Sequence, residues 1–272
     1  MISLIPTRAH AAARLIALAC LLLAGSALAE PKDVAPTGVL RVAFLGANPV
    51  QGHVNPQTKE ITGVVADLTK ELARRLGVPY EIYPAANAAE IVARLNAGKS
   101  DVGYLAFDPE RGRVVDFSAS YALMGNALVV RADAPIKATP DADRPDTKLA
   151  AVRGQTQQIV LSEIMKQARM TMLEKKPNQA QLEEMLGTRQ IDAYGANRPD
   201  AEMAAAASGG KLRALADDFF VAEQAFVTPK GETKKIAELD KFVTEIRADG
   251  YMQQTLDRSR LAGLAVARET HR

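Results

Sequence analysis

The 272-residue chain has no tryptophan, and phenylalanine and tyrosine bring its aromatic content to only 5%. A cleft that grips sugars by ring stacking needs more aromatic surface than that. Histidine is scarce as well: His10, His53 and His271 lie far apart, and the one cysteine, Cys20, has no partner. Metal sites need clustered thiol, imidazole or carboxylate ligands, so neither a metal centre nor another cofactor is expected. An excess of one charge is missing too, since 34 Lys and Arg stand against 32 Asp and Glu, for a net charge of +2. Without a basic stripe, nucleic acid is not an expected partner. Neither a GxSxG nucleophile turn nor a P-loop occurs. What remains is an ordinary globular balance, with 24% charged residues, 18 Gly and 14 Pro, long enough for one large domain or two modest ones.

The apolar run LIALACLLLAG is too short for a bilayer span, which takes about 20 residues. Arg8 and Arg14 precede it, and Ala27-Leu28-Ala29 supplies the small residues that signal peptidase requires. Residues 1–29 are therefore expected to be a cleaved signal peptide. Its removal takes Cys20 with it and leaves a chain without disulfides, which suits a bacterial periplasm better than a small stapled secreted module.

Beyond that leader the pattern alternates. VLRVAFLGA (39–47) reads as a buried strand, and the polar stretch after it as a short hairpin or loop. Val65, Leu68, Leu72 and Leu76 then lie on one face of a helix that Gly77 and Pro79 stop. YEIYPA (80–85) is the next strand, and Asn87 with Glu90 forms a capping-box pattern before a second helix ended by Gly98. The order βαβαβ with short loops predicts a parallel sheet with right-handed crossovers. After the strand NALVVR (126–131) a Pro- and Asp-rich passage leads into a second unit with the same alternation, from KLAAV (148–152) to KLRAL (211–215). LNAGKSDVGY (95–104) is echoed by LGTRQIDAYG (186–195), as two lobes of similar topology require. A return crossing at 217–231 leads to a last amphipathic helix through Ile236, Leu239, Val243 and Ile246. The expected architecture is two Rossmann-like α/β lobes joined by two hinge strands: lobe 1 over 38–131 and 222–260, lobe 2 over 132–221, and a frayed tail over 261–272.

The stretch DVGYLAFDPERGRVVDFS (101–118) is a strand that stops at a turn with Asp108 placed to cap it and Pro109 suited to a first helical turn. Arg111 thereby lies at the carboxyl edge of the sheet, where open α/β sheets bind ligands. With GVLRVAF, GVVADLTKELARRLG, LNAGKSDVG, DPERGRVVDFS, NALVVR and VRGQTQ in this order, the chain resembles the bacterial extracellular solute-binding proteins of the polar amino-acid uptake type, two-lobe receptors of type II periplasmic binding fold. The motifs span most of the chain beyond the leader.

The resemblance implies a monomeric, non-enzymatic receptor that captures a small carboxylate-bearing solute between its lobes and delivers it to an ABC transporter permease. It places Arg111 on the ligand's carboxylate, a role that suits a planar guanidinium. Gly154, Gln155 and Thr156 would supply backbone and hydroxyl groups at a helix start for the same carboxylate. Leu105, Ala106 and the first-loop Asn48 would line the cleft. The family's aspartate for the ligand's amino group is replaced by Asn197, which weakens the α-amino-acid reading. Two other readings stay open here. A periplasmic dehydratase of the same fold would use a cleft carboxylate as general acid, with Asp200 and Glu202 near the required place. A soluble ligand-sensing partner of a signalling receptor is the other.

Overall fold

The computed structural model describes residues 31–48 and 50–268. The expected signal peptide and the last residues of the tail lie outside them. After a helical turn α1 (Pro31–Val34), strand β1 (Leu40–Leu45) pairs in parallel with β4 (Tyr80–Ala85) on one side and β5 (Val102–Ala106) on the other. The polar stretch between is a small antiparallel hairpin, β2 (His53–Val54) with β3 (Ile61–Thr62). Helix α2 (Val64–Leu76) buries Val65, Leu68, Leu72 and Leu76 as the spacing predicts, and Gly77 ends it at a φ of 69°, a left-handed turn open to glycine. Helix α3 (Ala88–Asn96) starts at Asn87, whose side chain accepts the Glu90 N–H. The reciprocal half of the expected capping box differs: the Glu90 carboxylate reaches one residue further back, to the Ala86 N–H at 2.7 Å.

Connecting strands join the lobes, and β6 (Val115–Arg131) is the first of them. It runs for 17 residues and changes partners at Asn126. Up to Asn126 it pairs antiparallel with β11 (Phe220–Pro229); from Asn126 on it pairs with β9 (Ala193–Asn197), and its end also with β10 (Leu212–Ala214). The change of partners falls at the start of the NALVVR run. A single sheet results, in the order β4-β1-β5-β11-β6-β9-β7-β8, with β7 (Lys148–Val152) parallel to both β9 and β8 (Arg169–Leu173). In the second lobe, helices α4 (Thr156–Ile164), α5 (Gln179–Gly187) and α6 (Arg198–Ala207) cover the sheet. Leu161 of α4 packs with Leu128, Leu149 and Ala151, whereas Leu182 and Leu186 of α5 pack with Val129, Ala150 and Tyr194, so the two faces are both apolar.

The local echo between the lobes is structural. The turn after α3 holds Gly98 at φ 63°, and the turn after α5 holds Arg189 at φ 59°. Three residues on, Asp101 and Asp192 each accept the backbone N–H of the neighbouring strand's first basic residue, Arg41 and Lys148, at 2.9 Å. The side chains of Arg41 and Lys148 in turn donate to the carbonyls of Gly98 and Arg189, both at 2.7 Å.

Helices α7 (Thr233–Ala248) and α8 (Tyr251–Ser259) pack back on the first lobe, where Leu239, Phe242, Val243 and Ile246 join the core around Tyr104 and Phe226. The segment expected to fray does not do so over its described residues. Leu264–Val266 forms β12, antiparallel to Ala122–Met124 of β6, and the Ala267 side chain is fully buried. Its backbone hydrogen bonds are satisfied by a strand far back in sequence, which local pattern does not reveal. Among the described residues no helix is long and apolar enough to cross a membrane, and no group of three or more His, Cys, Asp and Glu could hold a metal ion.

Candidate functional site

β1, β4 and β5 end on the same side of the first lobe, and β7, β8 and β9 end on the facing side of the second. A turn follows β5 instead of a full helix: Arg111–Arg113 is a single 3-10 turn. Asp108 caps it by accepting the Arg111 N–H at 2.9 Å, as its position before Pro109 predicts. That turn aims Arg111 at the other lobe. Its Nη1 donates to the Ala106 carbonyl at 3.2 Å, and its Nη2 donates to the Gly154 carbonyl at 3.0 Å. The first bond holds the guanidinium against its own strand end, and the second crosses between lobes. Burial pulls the Arg111 guanidinium below its ordinary pKa, while the nearby Asp108 charge acts the other way. Among the described residues no carboxylate forms an ion pair with it, so its charge is met by backbone carbonyl dipoles.

Gly154 lies at φ 71°, which bends the chain out of β7 and into α4. Its N–H donates to Gln158 Oε1 at 3.0 Å, and the Gln155 N–H to the Val152 carbonyl at 3.2 Å. Neither amide is therefore spare. Gln155 is the residue before the helix and makes no side-chain cap bond, so the first-turn amides from Thr156 onward are the donors left at this edge.

The other expected residues divide. Ala106 ends β5 and contributes its carbonyl to Arg111. The Leu105 side chain packs into the core with Ala43, Ile91, Leu95 and Val227, so only its backbone reaches the strand end. Asn48 shapes its own turn: its Oδ1 accepts the Val50 N–H at 3.1 Å, and its N–H donates to the Leu45 carbonyl at 2.9 Å. Asn197, 6% exposed, ends β9 and caps α6; its Oδ1 accepts the Asp200 N–H at 2.9 Å and its Nδ2 donates to Asp200 Oδ2 at 2.8 Å.

Gln155 and Asn197 come together in one small pocket, lined also by Val152, Gln157, Lys176, Tyr194 and Asp200. Only Asp200 of these five is a candidate from the sequence; Gln157 and Lys176 are the additions with polar contacts of their own. Gln157 is buried and donates to Asn126 Oδ1 at 2.6 Å, tying the pocket to the strand that joins the lobes. Lys176 lies just past the carboxyl end of β8 and pairs with Asp200 at 2.7 Å. Its one sequence signal is that sheet-edge position, because the pairing spans 24 residues of chain. Burial pushes the Tyr194 phenol well above its ordinary pKa, and the Asp200 charge adds to the shift.

Residues 40–259 match the bacterial extracellular solute-binding proteins, family 3. The virulence sensor protein BvgS of Bordetella bronchiseptica is 30% identical over 203 residues, covering 70% of this chain. The chain spans only 15% of that sensor's length. Among solved structures, the ancestral amino acid-binding protein AncCDT-1, described as a precursor of cyclohexadienyl dehydratase, superposes with a TM-score of 0.70 at 24% identity, covering 84% of this chain and 98% of that one. A putative binding component of an ABC transporter from Wolinella succinogenes, complexed with lysine, gives a TM-score of 0.71 at 20% identity, covering 82% and 95%. At these identities the likeness establishes the fold.

Proposed function

The chain belongs to the bacterial extracellular solute-binding proteins, family 3, and on that premise we propose that it captures a small carboxylate-bearing solute between its lobes in the periplasm, for delivery to an ABC transporter permease. Its two α/β lobes joined by connecting strands have the type II periplasmic binding fold. The observation that carries the proposal is the Arg111 guanidinium, held at the end of β5 by the Ala106 carbonyl and directed across the cleft to Gly154. A guanidinium whose present partners are neutral carbonyls gains a charge-assisted, two-point contact when a carboxylate takes their place.

Closure follows from the same bond. Arg111 belongs to one lobe and Gly154 to the other, so a carboxylate held by Arg111 beside the start of α4 favours the state in which both are near. The ligand shifts the equilibrium only by its differential affinity for that state. A micromolar ligand would supply about −8 kcal/mol in all, part of which offsets desolvation of the charge pair.

The binder is favoured over a dehydratase by the partners of Asp200. Its carboxylate is already engaged by both Lys176 and Asn197, so it is not held free to reach a substrate. The test is Arg111→Ala, followed by calorimetry with carboxylate probes. Affinity should fall by about 100-fold or more, while the ligand-free unfolding free energy changes by no more than about 1 kcal/mol. Unchanged affinity would remove Arg111 as the anchor, and turnover of prephenate or arogenate would replace the receptor with an enzyme.

A further inference from the structure

The second lobe's side of the cleft carries a charge arrangement that bears on what the ligand can be. Asp200 is the acid of the small polar pocket, and its side chain is 12% exposed. Its Oδ2 accepts from Lys176 Nζ at 2.7 Å and from Asn197 Nδ2 at 2.8 Å. Asn197 is committed at both ends, since its Oδ1 accepts the Asp200 N–H. Lys176 is the more open partner of the pair, with 34% of its side chain exposed. Glu174, at the same sheet edge, is engaged by Arg153 at 2.9 Å. Of this pair the lysine is thus the more exposed member and the acid the more buried, and outside the pocket Arg111 places a second cation on Gly154, the neighbour of Gln155.

We propose that Lys176 is a specificity-determining residue that occupies, within the protein, the place a ligand's ammonium would take, so that the cleft selects small carboxylic acids without a cationic amino group. The inference rests on the carboxylate-binding role assigned to Arg111 and extends it to the ligand's other end. An amino-bearing ligand must either approach the Lys176 charge or displace it from Asp200, and like charges brought together in a partly dry site repel strongly. An amide, hydroxyl or keto group at that end instead finds Gln155 and Gln157 as neutral partners.

The test uses matched probe pairs that differ only in the amino group: lactate against alanine, and glutaramate against glutamine. Thermal-shift and calorimetric titrations would be run on the wild type, Lys176→Met and Lys176→Arg. Methionine keeps an unbranched stem, which matters because Lys176 also borders the apolar groove between α5 and α6. The wild type should bind the amine-free member of a pair at least about tenfold more tightly than its amino counterpart, a difference of about 1.4 kcal/mol. Lys176→Met should narrow or invert that ratio by freeing Asp200, and Lys176→Arg should keep it. Equal or tighter binding of the amino member by the wild type, with affinity lost in Arg111→Ala, overturns the inference while the carboxylate site stands. A Lys176→Met variant with an unchanged ratio also overturns it. If no carboxylate of either kind shifts any variant, the carboxylate site itself fails and the inference falls with it.

Discussion

Arg41 and Lys148 hold equivalent corners of the two lobes: each gives its backbone N–H to an aspartate and its side chain to the carbonyl of the left-handed residue in the turn before that aspartate. The corners differ in depth. Asp101 is 3% exposed and also accepts from Arg41 Nε at 3.0 Å and Nη2 at 2.6 Å, whereas Asp192 is half-buried and, among the described residues, its side chain accepts the Lys148 N–H alone. Asp101→Ala leaves Arg41 Nε, Nη2 and its backbone amide without their acceptor and should cost about 2–4 kcal/mol. Asp192→Ala should cost about 1 kcal/mol. Urea unfolding of the two variants checks the ratio, and equal costs would mean that the first lobe's extra bonds add nothing net.

Where the chain passes between lobes, a Cβ on Gly125 would lie 2.7 Å from the Asp218 Cγ. Asp218 cannot simply swing away, because it accepts from Arg198 Nε at 2.9 Å and Nη2 at 2.6 Å. Gly125→Ala should therefore destabilise by about 1–3 kcal/mol. Adding Asp218→Ala removes the clash, so the double variant should be less unstable than the two single costs together, and additivity in a double-mutant cycle would refute the contact.

The tail gives a third prediction. Gly263 accepts the Gly125 N–H at 2.9 Å, and a Cβ on it would lie 2.5 Å from the Arg198 Cβ, so residues near the end of the chain touch both the joining strand and α6. Ending the chain at Arg260 strips β12 from β6 and exposes apolar surface around Tyr121, Met124 and Leu256. A loss of about 2–4 kcal/mol is expected by chemical denaturation. A truncated chain as stable as the full one would show that β12 contributes nothing to the fold.

How much of this was legible depended on distance along the chain. The helices and parallel strands of each lobe were readable because their cues are local: the Val65–Leu76 spacing, the Asn87 cap, and the echo that places Asp101 and Asp192 after a turn. The Asp108–Arg111 turn was readable for the same reason. The exact point of passage between lobes has no mark of its own in the sequence, because β6 continues through it without a break in pattern. β12 has three residues and pairs with a strand about 140 residues earlier, so nothing nearby marks it. At the site, Arg111 was visible as a sheet-edge cation, whereas its bond to Gly154 and the Lys176–Asp200 pair exist only once the lobes are folded.

The acid limb of stability should carry a signature of Glu71. Its carboxylate accepts from Arg74 Nε at 2.8 Å and Nη2 at 2.7 Å and from Arg75 Nε at 2.7 Å, on a side chain 10% exposed. The Arg74 hydrogen bonds are the largest cause of a pKa lowered from 4.5 to about 2; burial opposes them, and the Arg75 contacts add to them. A carboxylate depressed on folding stabilises the native state above its unfolded pKa, and that contribution is lost as pH falls through the folded value. The window therefore runs from about pH 4.5 down to about pH 2. With screening of the exposed Arg74 side taken into account, the contribution at neutral pH is about 1–2 kcal/mol. Glu71→Gln should lower the unfolding free energy by that amount at pH 7 and by much less at pH 2.5, so the gap between variant and wild type closes on acidification. A gap that stays constant from pH 7 to pH 2.5 would assign the loss to packing rather than to the charge.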